Sequence, residues 1–172
     1  MAVGRRDEER TLVCARMHAS CRRERRAGSA ARGRIRGEEE AKMPLNILVV
    51  DDSSVVRAMI VKALRLAEVP LGDVFQAANG REGLDVLDEN WIDLIFVDIN
   101  MPVMNGEEMV DRIRASREWQ DLPVVVVSTE GSSTRIERLR QKGAMFIHKP
   151  FTPEEVRKAV RDLTKVCHER QA

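Results

Sequence analysis

Acidic residues directly follow two short apolar runs of this sequence. The run LNILVV is followed by Asp51 and Asp52, and the run LIFV is followed by Asp98. If both runs are neighbouring strands of a parallel sheet, their carboxyl ends meet at one edge and the three carboxylates crowd one another there. Such carboxylates repel each other and resist desolvation, and a hard divalent cation removes that conflict. Because no His or Cys stands near them in the sequence, Mg²⁺ is favoured over zinc.

A lysine and a serine end two further apolar runs. Lys149 lies in FIHKPF, where Pro150 biases it away from helix, and Ser128 ends VVVVS. A carboxylate can attack phosphorus as a nucleophile, and the transferred phosphoryl group needs a metal ion and a cation to stabilise its charge. Together with the acids, the ammonium and the hydroxyl predict phosphoryl transfer onto an aspartate.

The elements that must position these groups alternate between strand and helix from Leu45 onward. The predicted strands are 45–50, 73–78, 93–97, 124–128 and 145–148, and the predicted helices are 54–67, 81–90, 107–118, 132–142 and 152–169. Such alternation is typical of an α/β fold, in which right-handed crossovers place helices on both faces of a parallel sheet. The fold class is therefore a doubly wound five-stranded parallel sheet.

Local signals mark where several of the helices begin. Ser53 and Thr152 are predicted N-caps, with Pro153 at the first position of the last helix. The pairs Asn79–Gly80 and Asn105–Gly106 are typical of turns that lead into helices. These signals fix the helix starts close to the ends of the strands that carry the acids.

The first 42 residues differ in composition from the rest of the chain. They hold eleven Arg and one Lys against seven acids, whereas the whole chain has a net charge of only +1. Large apolar residues are scarce in this segment, so it cannot offset its conformational entropy by burial. We expect residues 1–42 to be a disordered basic extension, with Met43 as an alternative natural start. An arginine-rich arm that binds nucleic acid or anionic lipid is the other reading.

Cysteine usage and hydropathy indicate a cytoplasmic protein. Cys14, Cys21 and Cys167 form no disulfide framework. Cys14, His18 and Cys21 resemble half a zinc knuckle, but a fourth ligand is not evident, so we expect no zinc. No secretory signal and no apolar run long enough to span a membrane is present.

Four motifs together resemble the receiver domain of two-component response regulators, and most closely its stand-alone, chemotaxis (CheY-like) type. They are VVDDSSVVR (49–57), VDINMPVMNG (97–106), PVVVVSTE (123–130) and HKPFTPEE (148–155). The resemblance covers roughly Pro44 to Cys167. It implies a flavodoxin-like (βα)5 fold with strand order 2-1-3-4-5, and it assigns residues 43–168 to the receiver domain.

The resemblance also implies how the acids divide their work. Asp98 matches the phosphoacceptor. Asp51 and Asp52 match the acidic pair that holds Mg²⁺, with Asp52 as the direct ligand and Asp51 acting through water. The backbone carbonyl of Asn100 matches the position that completes the metal shell, together with Asp98 itself.

Further positions match residues that respond to phosphorylation. Ser128 matches the hydroxyl that turns toward the phosphoryl group, and Lys149 matches the lysine that binds it. Phe146 matches the aromatic switch position, although the segment 143–149 is one residue shorter than the family pattern, which leaves its register open. Asn100 and Glu130 match the positions that tune the lifetime of the phosphoryl group.

The implied function is that of a single-domain response regulator, which catalyses only its own phosphorylation and dephosphorylation. Its partners would be a sensor histidine kinase and a target protein that binds the fourth helix, fifth strand and fifth helix. The chain itself is expected to have no DNA-binding domain and no membrane span. A phosphorelay intermediate or a receiver-type scaffold is the alternative. An aspartate-nucleophile phosphatase of another class needs a second acid where Asn100 stands, and no G-x-x-x-x-G-K-[ST] motif for nucleotide binding occurs.

Overall fold

The computed structural model of the chain describes residues 44–170. Residues 1–43 lie outside the described residues. They include the predicted basic extension (residues 1–42), Met43, and the residues considered above as zinc ligands, Cys14, His18 and Cys21. The predictions made for them therefore stay predictions.

Strands and helices alternate along the described residues in the predicted order. The strands are β1 (Leu45–Val50), β2 (Leu71–Ala77), β3 (Leu94–Val97), β4 (Val124–Ser128) and β5 (Met145–His148). The helices are α1 (Ser54–Leu66), α2 (Gly80–Glu89), α3 (Gly106–Ala115), α4 (Ser133–Gln141) and α5 (Pro153–Arg170). β2 begins two residues before its predicted start, because Leu71 pairs with Leu45 of β1.

All five strands form one parallel sheet in the order β2-β1-β3-β4-β5. This confirms the predicted doubly wound sheet and the strand order 2-1-3-4-5. In the register of the sheet, Val97 of β3 lies between Val50 of β1 and Val126 of β4. The residues that follow β1 and β3 therefore leave the same edge of the sheet side by side.

Alternating side chains of the strands pack into two separate hydrophobic cores, one on each face of the sheet. Ile47 and Val49 of β1 pack with residues of α1 and α5 on one face, whereas Leu48 and Val50 pack with residues of α2, α3 and α4 on the other. The four valines of β4 are all buried because helices cover both faces of the sheet. The two cores hold the strand ends rigidly in place.

The helix starts follow the predicted capping signals. Ser53 Oγ accepts a hydrogen bond from the backbone N–H of Val56, which satisfies a free donor of α1. Asn105 forms a capping box with Glu108 at the start of α3. Thr152 and Glu155 exchange the same pair of hydrogen bonds at the start of α5. Within residues 44–170, no helix is long and apolar enough to cross a bilayer.

Candidate functional site

A lysine ammonium joins two buried carboxylates at the carboxyl edge of the sheet. Lys149 Nζ donates to Asp51 Oδ2 at 2.7 Å and to Asp98 Oδ1 at 3.0 Å. Asp51 is 1% exposed and Asp98 is 7% exposed. Three of the predicted site residues, separated by up to 98 positions in the chain, therefore meet at one point.

Backbone hydrogen bonds that continue the strand pairing hold these residues in place. The Asp51 N–H donates to the Ala77 carbonyl at 3.1 Å, and the Asp98 N–H donates to the Val50 carbonyl at 2.9 Å. The Lys149 N–H donates to the carbonyl of Ser128 at 2.9 Å. Asp51 and Asp98 thus follow central strands of the sheet, whereas the backbone of Lys149 is held on one side, by pairing with β4.

The remaining carboxylate oxygens accept hydrogen bonds from nearby backbone. Asp51 Oδ1 accepts from the N–H of Ser53 at 2.9 Å, and Asp98 Oδ2 accepts from the N–H of Asn100 at 3.0 Å. A buried charge is tolerated only when it is paired and hydrogen-bonded. Both acids meet that condition.

The two carboxylates raise the pKa of Lys149. Burial alone lowers the pKa of this ammonium, but the hydrogen bonds that it donates to Asp51 and Asp98, and the negative charge of these acids, outweigh that effect. The net pKa of Lys149 lies above its ordinary value, so the side chain is a fixed cation at neutral pH. A fixed cation beside Asp98 suits the binding of a phosphoryl oxygen.

The oxygen donors at this edge fit Mg²⁺ in chemistry. Asp52 and Asn100 are exposed next to the buried acids. Three carboxylates against one ammonium leave an excess of negative charge, and carboxylate and carbonyl oxygens are the ligands that Mg²⁺ prefers. Among residues 44–170, however, no three acidic, His or Cys side chains converge in a metal-holding arrangement.

The predicted switch residues, Ser128 and Phe146, lie on β4 and β5. Ser128 is fully buried, and its Oγ accepts from the N–H of Glu130 at 3.4 Å. Phe146 is half-buried, pairs with Val126 in the sheet and packs against the core beneath α2, α3 and α4. Its ring meets that of His148 edge to face, with 6.2 Å between centroids. Ser128 adjoins the site through Lys149, whereas Phe146 lies farther along β5.

The carboxylate of Glu130 accepts hydrogen bonds from its own loop and from α4. Its Oε1 accepts from the N–H of Ser132 at 2.8 Å, and its Oε2 accepts from Arg135 Nη1. The Ser132 N–H is the largest influence that lowers the pKa of Glu130, and Arg135 adds to it against the effect of burial. The hydrogen bond from Arg135 to Glu107 is the largest influence that raises the pKa of Arg135.

Two residues that support the site were not singled out from the sequence. Arg57 Nη1 donates to the carbonyl of Asp51 at 2.6 Å, which fixes the backbone that carries the acid. A Cβ on Gly106 would lie 2.1 Å from the carbonyl oxygen of Asp98. Asn105–Gly106 signalled a turn in the sequence, but the close approach of that turn to Asp98 depends on packing between segments.

Comparison with known proteins gives a consistent picture for this part of the chain. The family model described as "Response regulator receiver domain" matches residues 47–161. A chemotaxis protein CheY homolog of Campylobacter jejuni is 37% identical over 122 residues, which cover 69% of this chain and 92% of the relative. A two-component response regulator of rice (Oryza sativa subsp. japonica) is 38% identical over 125 residues, which cover 72% of this chain and 90% of the relative.

Solved structures share the fold. The chemotaxis response regulator CheY4 of Vibrio cholerae superposes with a TM-score of 0.62 at 33% identity, covering 70% of this chain and 99% of that one. A chain from the CheX–CheY–BeF3–Mg²⁺ complex of Borrelia burgdorferi superposes with a TM-score of 0.65 at 26% identity, covering 71% of this chain and 90% of that one.

Proposed function

Because the chain belongs to the response regulator receiver domain family, we propose that it is a stand-alone response regulator that accepts a phosphoryl group on Asp98. Membership in this family implies signalling by phosphorylation. The specific proposal is that a sensor histidine kinase is the donor and that Asp98 is the acceptor. The observation that carries it is the pair of buried carboxylates, Asp51 and Asp98, held on the Lys149 ammonium at the carboxyl edge of the sheet.

The chemistry of this step follows from the contacts of Asp98. A carboxylate oxygen of Asp98 attacks the phosphorus of a phosphohistidine, the P–N bond breaks, and the imidazole leaves with a proton from solvent. Lys149 lies 3.0 Å from Asp98 Oδ1 and can bind an oxygen of the arriving phosphoryl group. Asp98 would give up part of its ion pair with Lys149 and gain an acyl phosphate in its place.

Asp51, Asp52, Asp98 and the carbonyl of Asn100 are the groups that would hold Mg²⁺. When bound, this ion supplies positive charge against the phosphoryl oxygens. The excess of negative charge at the edge, with Asp52 exposed, supports this assignment. Asp51 has the further role of holding Lys149 in position.

We assign the output to a change around Ser128. The hydroxyl would leave the N–H of Glu130 and donate to the phosphoryl group, and Phe146 would follow it. A target protein that prefers this arrangement on α4, β5 and α5 would read the signal, because a ligand that binds one of two states better shifts their populations. The same surface would be free of target when Asp98 is unmodified.

The proposal is tested by labelling the chain with acetyl phosphate in the presence of Mg²⁺. We expect Asp98→Asn to abolish incorporation, because an amide cannot act as the nucleophile. Asp85→Asn is a matched control: its acid is exposed on α2 in an ion pair with Arg81, and labelling should persist. Chelation of Mg²⁺ should block labelling of the unaltered chain. Full labelling of Asp98→Asn would overturn the assignment of the acceptor.

A further inference from the structure

An ionic bridge joins the loop after β4 to the start of α3. We call it the Arg135 bridge, and it consists of Glu107, Glu130 and Arg135. Arg135 Nε donates to Glu107 Oε1 at 2.9 Å while its Nη1 donates to Glu130 Oε2. The three side chains are 26%, 15% and 31% exposed respectively. Because one guanidinium contacts two partly buried carboxylates, the bridge differs from an isolated surface ion pair.

The bridge engages a residue that lies at the rim of the proposed phosphorylation site. Glu130 follows Ser128 by two positions, and its N–H donates to the Ser128 hydroxyl. Both carboxylate oxygens of Glu130 accept a hydrogen bond, one from the N–H of Ser132 and the other from Arg135 Nη1. The carboxylate of Glu130, whose own backbone contacts Ser128, is thereby committed to contacts with α4 and the turn before it.

The chemistry that such a carboxylate would affect is loss of the phosphoryl group. Water attacks phosphorus, the bond between phosphorus and the Asp98 oxygen breaks, and inorganic phosphate leaves the regenerated carboxylate. The attacking water must give up a proton, and a nearby free carboxylate can accept it. Hydrogen bonds from a guanidinium and a backbone N–H make Glu130 a weaker base for this purpose, which agrees with the lowered pKa of Glu130.

We propose that Arg135 is a positioning residue that prolongs the life of the phosphoryl group on Asp98 by withholding the Glu130 carboxylate from the attacking water. This inference rests on the proposed function, because it takes Asp98 as the phosphoacceptor. Glu107 holds the guanidinium from α3, so Arg135 cannot simply follow Glu130 toward the site. The number of carboxylates that reach the site is then set by a contact made on α4.

The test uses the full chain, labelled with acetyl phosphate and Mg²⁺, and follows loss of the phosphoryl group after the donor is removed. We expect Arg135→Ala to lose it about three- to ten-fold faster, as release of a general base allows. Arg135→Lys keeps a cation and should restore much of the lifetime. Arg138→Ala is the matched control: it removes the same charge from an exposed position of α4, and the lifetime should not change.

A second pair of variants shows whether the effect passes through Glu130. Glu130→Gln removes the base, so adding Arg135→Ala to it should cause no further acceleration. Glu107→Gln releases the guanidinium from α3 without altering α4, and it should shorten the lifetime to a smaller extent. If Arg135→Ala does not fold, Glu107→Gln and Arg135→Lys carry the test.

The outcomes separate this inference from the proposed function. An unchanged or longer lifetime in Arg135→Ala would overturn the inference, as would equal acceleration in the Glu130→Gln background. In both cases labelling of Asp98 would still stand. If the unaltered chain does not take up label at all, the proposed function fails, and the inference fails with it.

Discussion

Lys149 holds together the two buried acids of the site, and its removal leaves them facing each other. We expect Lys149→Met to lower the free energy of unfolding at pH 7 by about 2–4 kcal/mol, because breaking a buried ion pair leaves uncompensated charge. Mg²⁺ should restore part of the loss by supplying another cation. Urea unfolding with Mg²⁺ and with chelator measures both effects.

The control for this variant is Lys142→Met, which removes an ammonium paired with Asp111 at a more exposed position. Its loss of unfolding free energy should stay below about 1 kcal/mol, as is usual for surface pairs.

The pKa of Lys149 is raised by folding, so the stabilisation by Lys149 is complete below the unfolded pKa of about 10.4 and disappears as pH rises through the higher folded value. The unaltered chain should therefore lose stability above that pH more steeply than Lys149→Met. Equal free energies of unfolding of the unaltered chain and of Lys149→Met in chelator would contradict this account.

At the scale of elements, the start of α3 is held tightly against the backbone of Asp98. The Gly106 N–H donates to the carbonyl of Ile99 at 2.9 Å, and a Cβ at Gly106 would lie 2.1 Å from the carbonyl oxygen of Asp98. Because that neighbour is backbone, the clash cannot be relieved by a side chain.

We expect Gly106→Ala to lower the free energy of unfolding by about 2 kcal/mol or more through overpacking, and to slow labelling of Asp98 by displacing it. Gly131→Ala is a matched control, because a Cβ there meets nothing within 4 Å. Urea unfolding and acetyl phosphate labelling compare the two. A Gly106→Ala chain as stable and as readily labelled as Gly131→Ala would show that the close approach is not required.

The loop between β3 and α3 holds a valine in the left-handed region. Val103 has φ of 68° and is 84% exposed, so the strain of a β-branched residue there is not offset by burial. Val103→Asn should raise the free energy of unfolding by about 1 kcal/mol, since Asn tolerates this conformation. Val55→Asn, at an exposed helical position of α1, should give no gain. Thermal or urea unfolding decides, and an unchanged or lower stability of Val103→Asn would refute the prediction.

Sequence patterns predicted the elements well wherever the signal was local. β1 and β4 have the predicted bounds, β3 begins one residue after its predicted start, and Ser53 and Thr152 cap their helices as predicted. The early start of β2 was missed, because Gly72 interrupts the apolar pattern and Leu71 joins the sheet through pairing with β1.

Contacts between distant segments were beyond the reach of those patterns. The meeting of Asp51, Asp98 and Lys149 was predicted because strand ends of a parallel sheet converge, which is a general property of the fold. The insertion of the Lys149 ammonium between the two acids was not, and neither was the bridge from Arg135 to Glu107. Both depend on side-chain directions that a spacing rule does not contain.

At the scale of the whole molecule, the chain divides by composition near residue 42. We expect a chain that begins at Met43 to keep the free energy of unfolding of the full chain within about 0.5 kcal/mol, because the family match begins at residue 47 and the removed segment is poor in large apolar residues. Urea unfolding and the rate of labelling by acetyl phosphate compare the two chains. Loss of folding or of labelling in the shorter chain would show that residues 1–42 belong to the domain.

The order in which the three charges of the site occur along the chain bears on biosynthesis. A ribosome makes Asp51 and Asp98 long before Lys149, which lies 51 residues beyond the later acid. A nascent chain that ended before β5 would have to bury two anions without their counter-ion, at a cost of several kcal/mol. We therefore expect the sheet to close only after β5 has been made, so that each newly made molecule becomes competent to receive its signal in a single step.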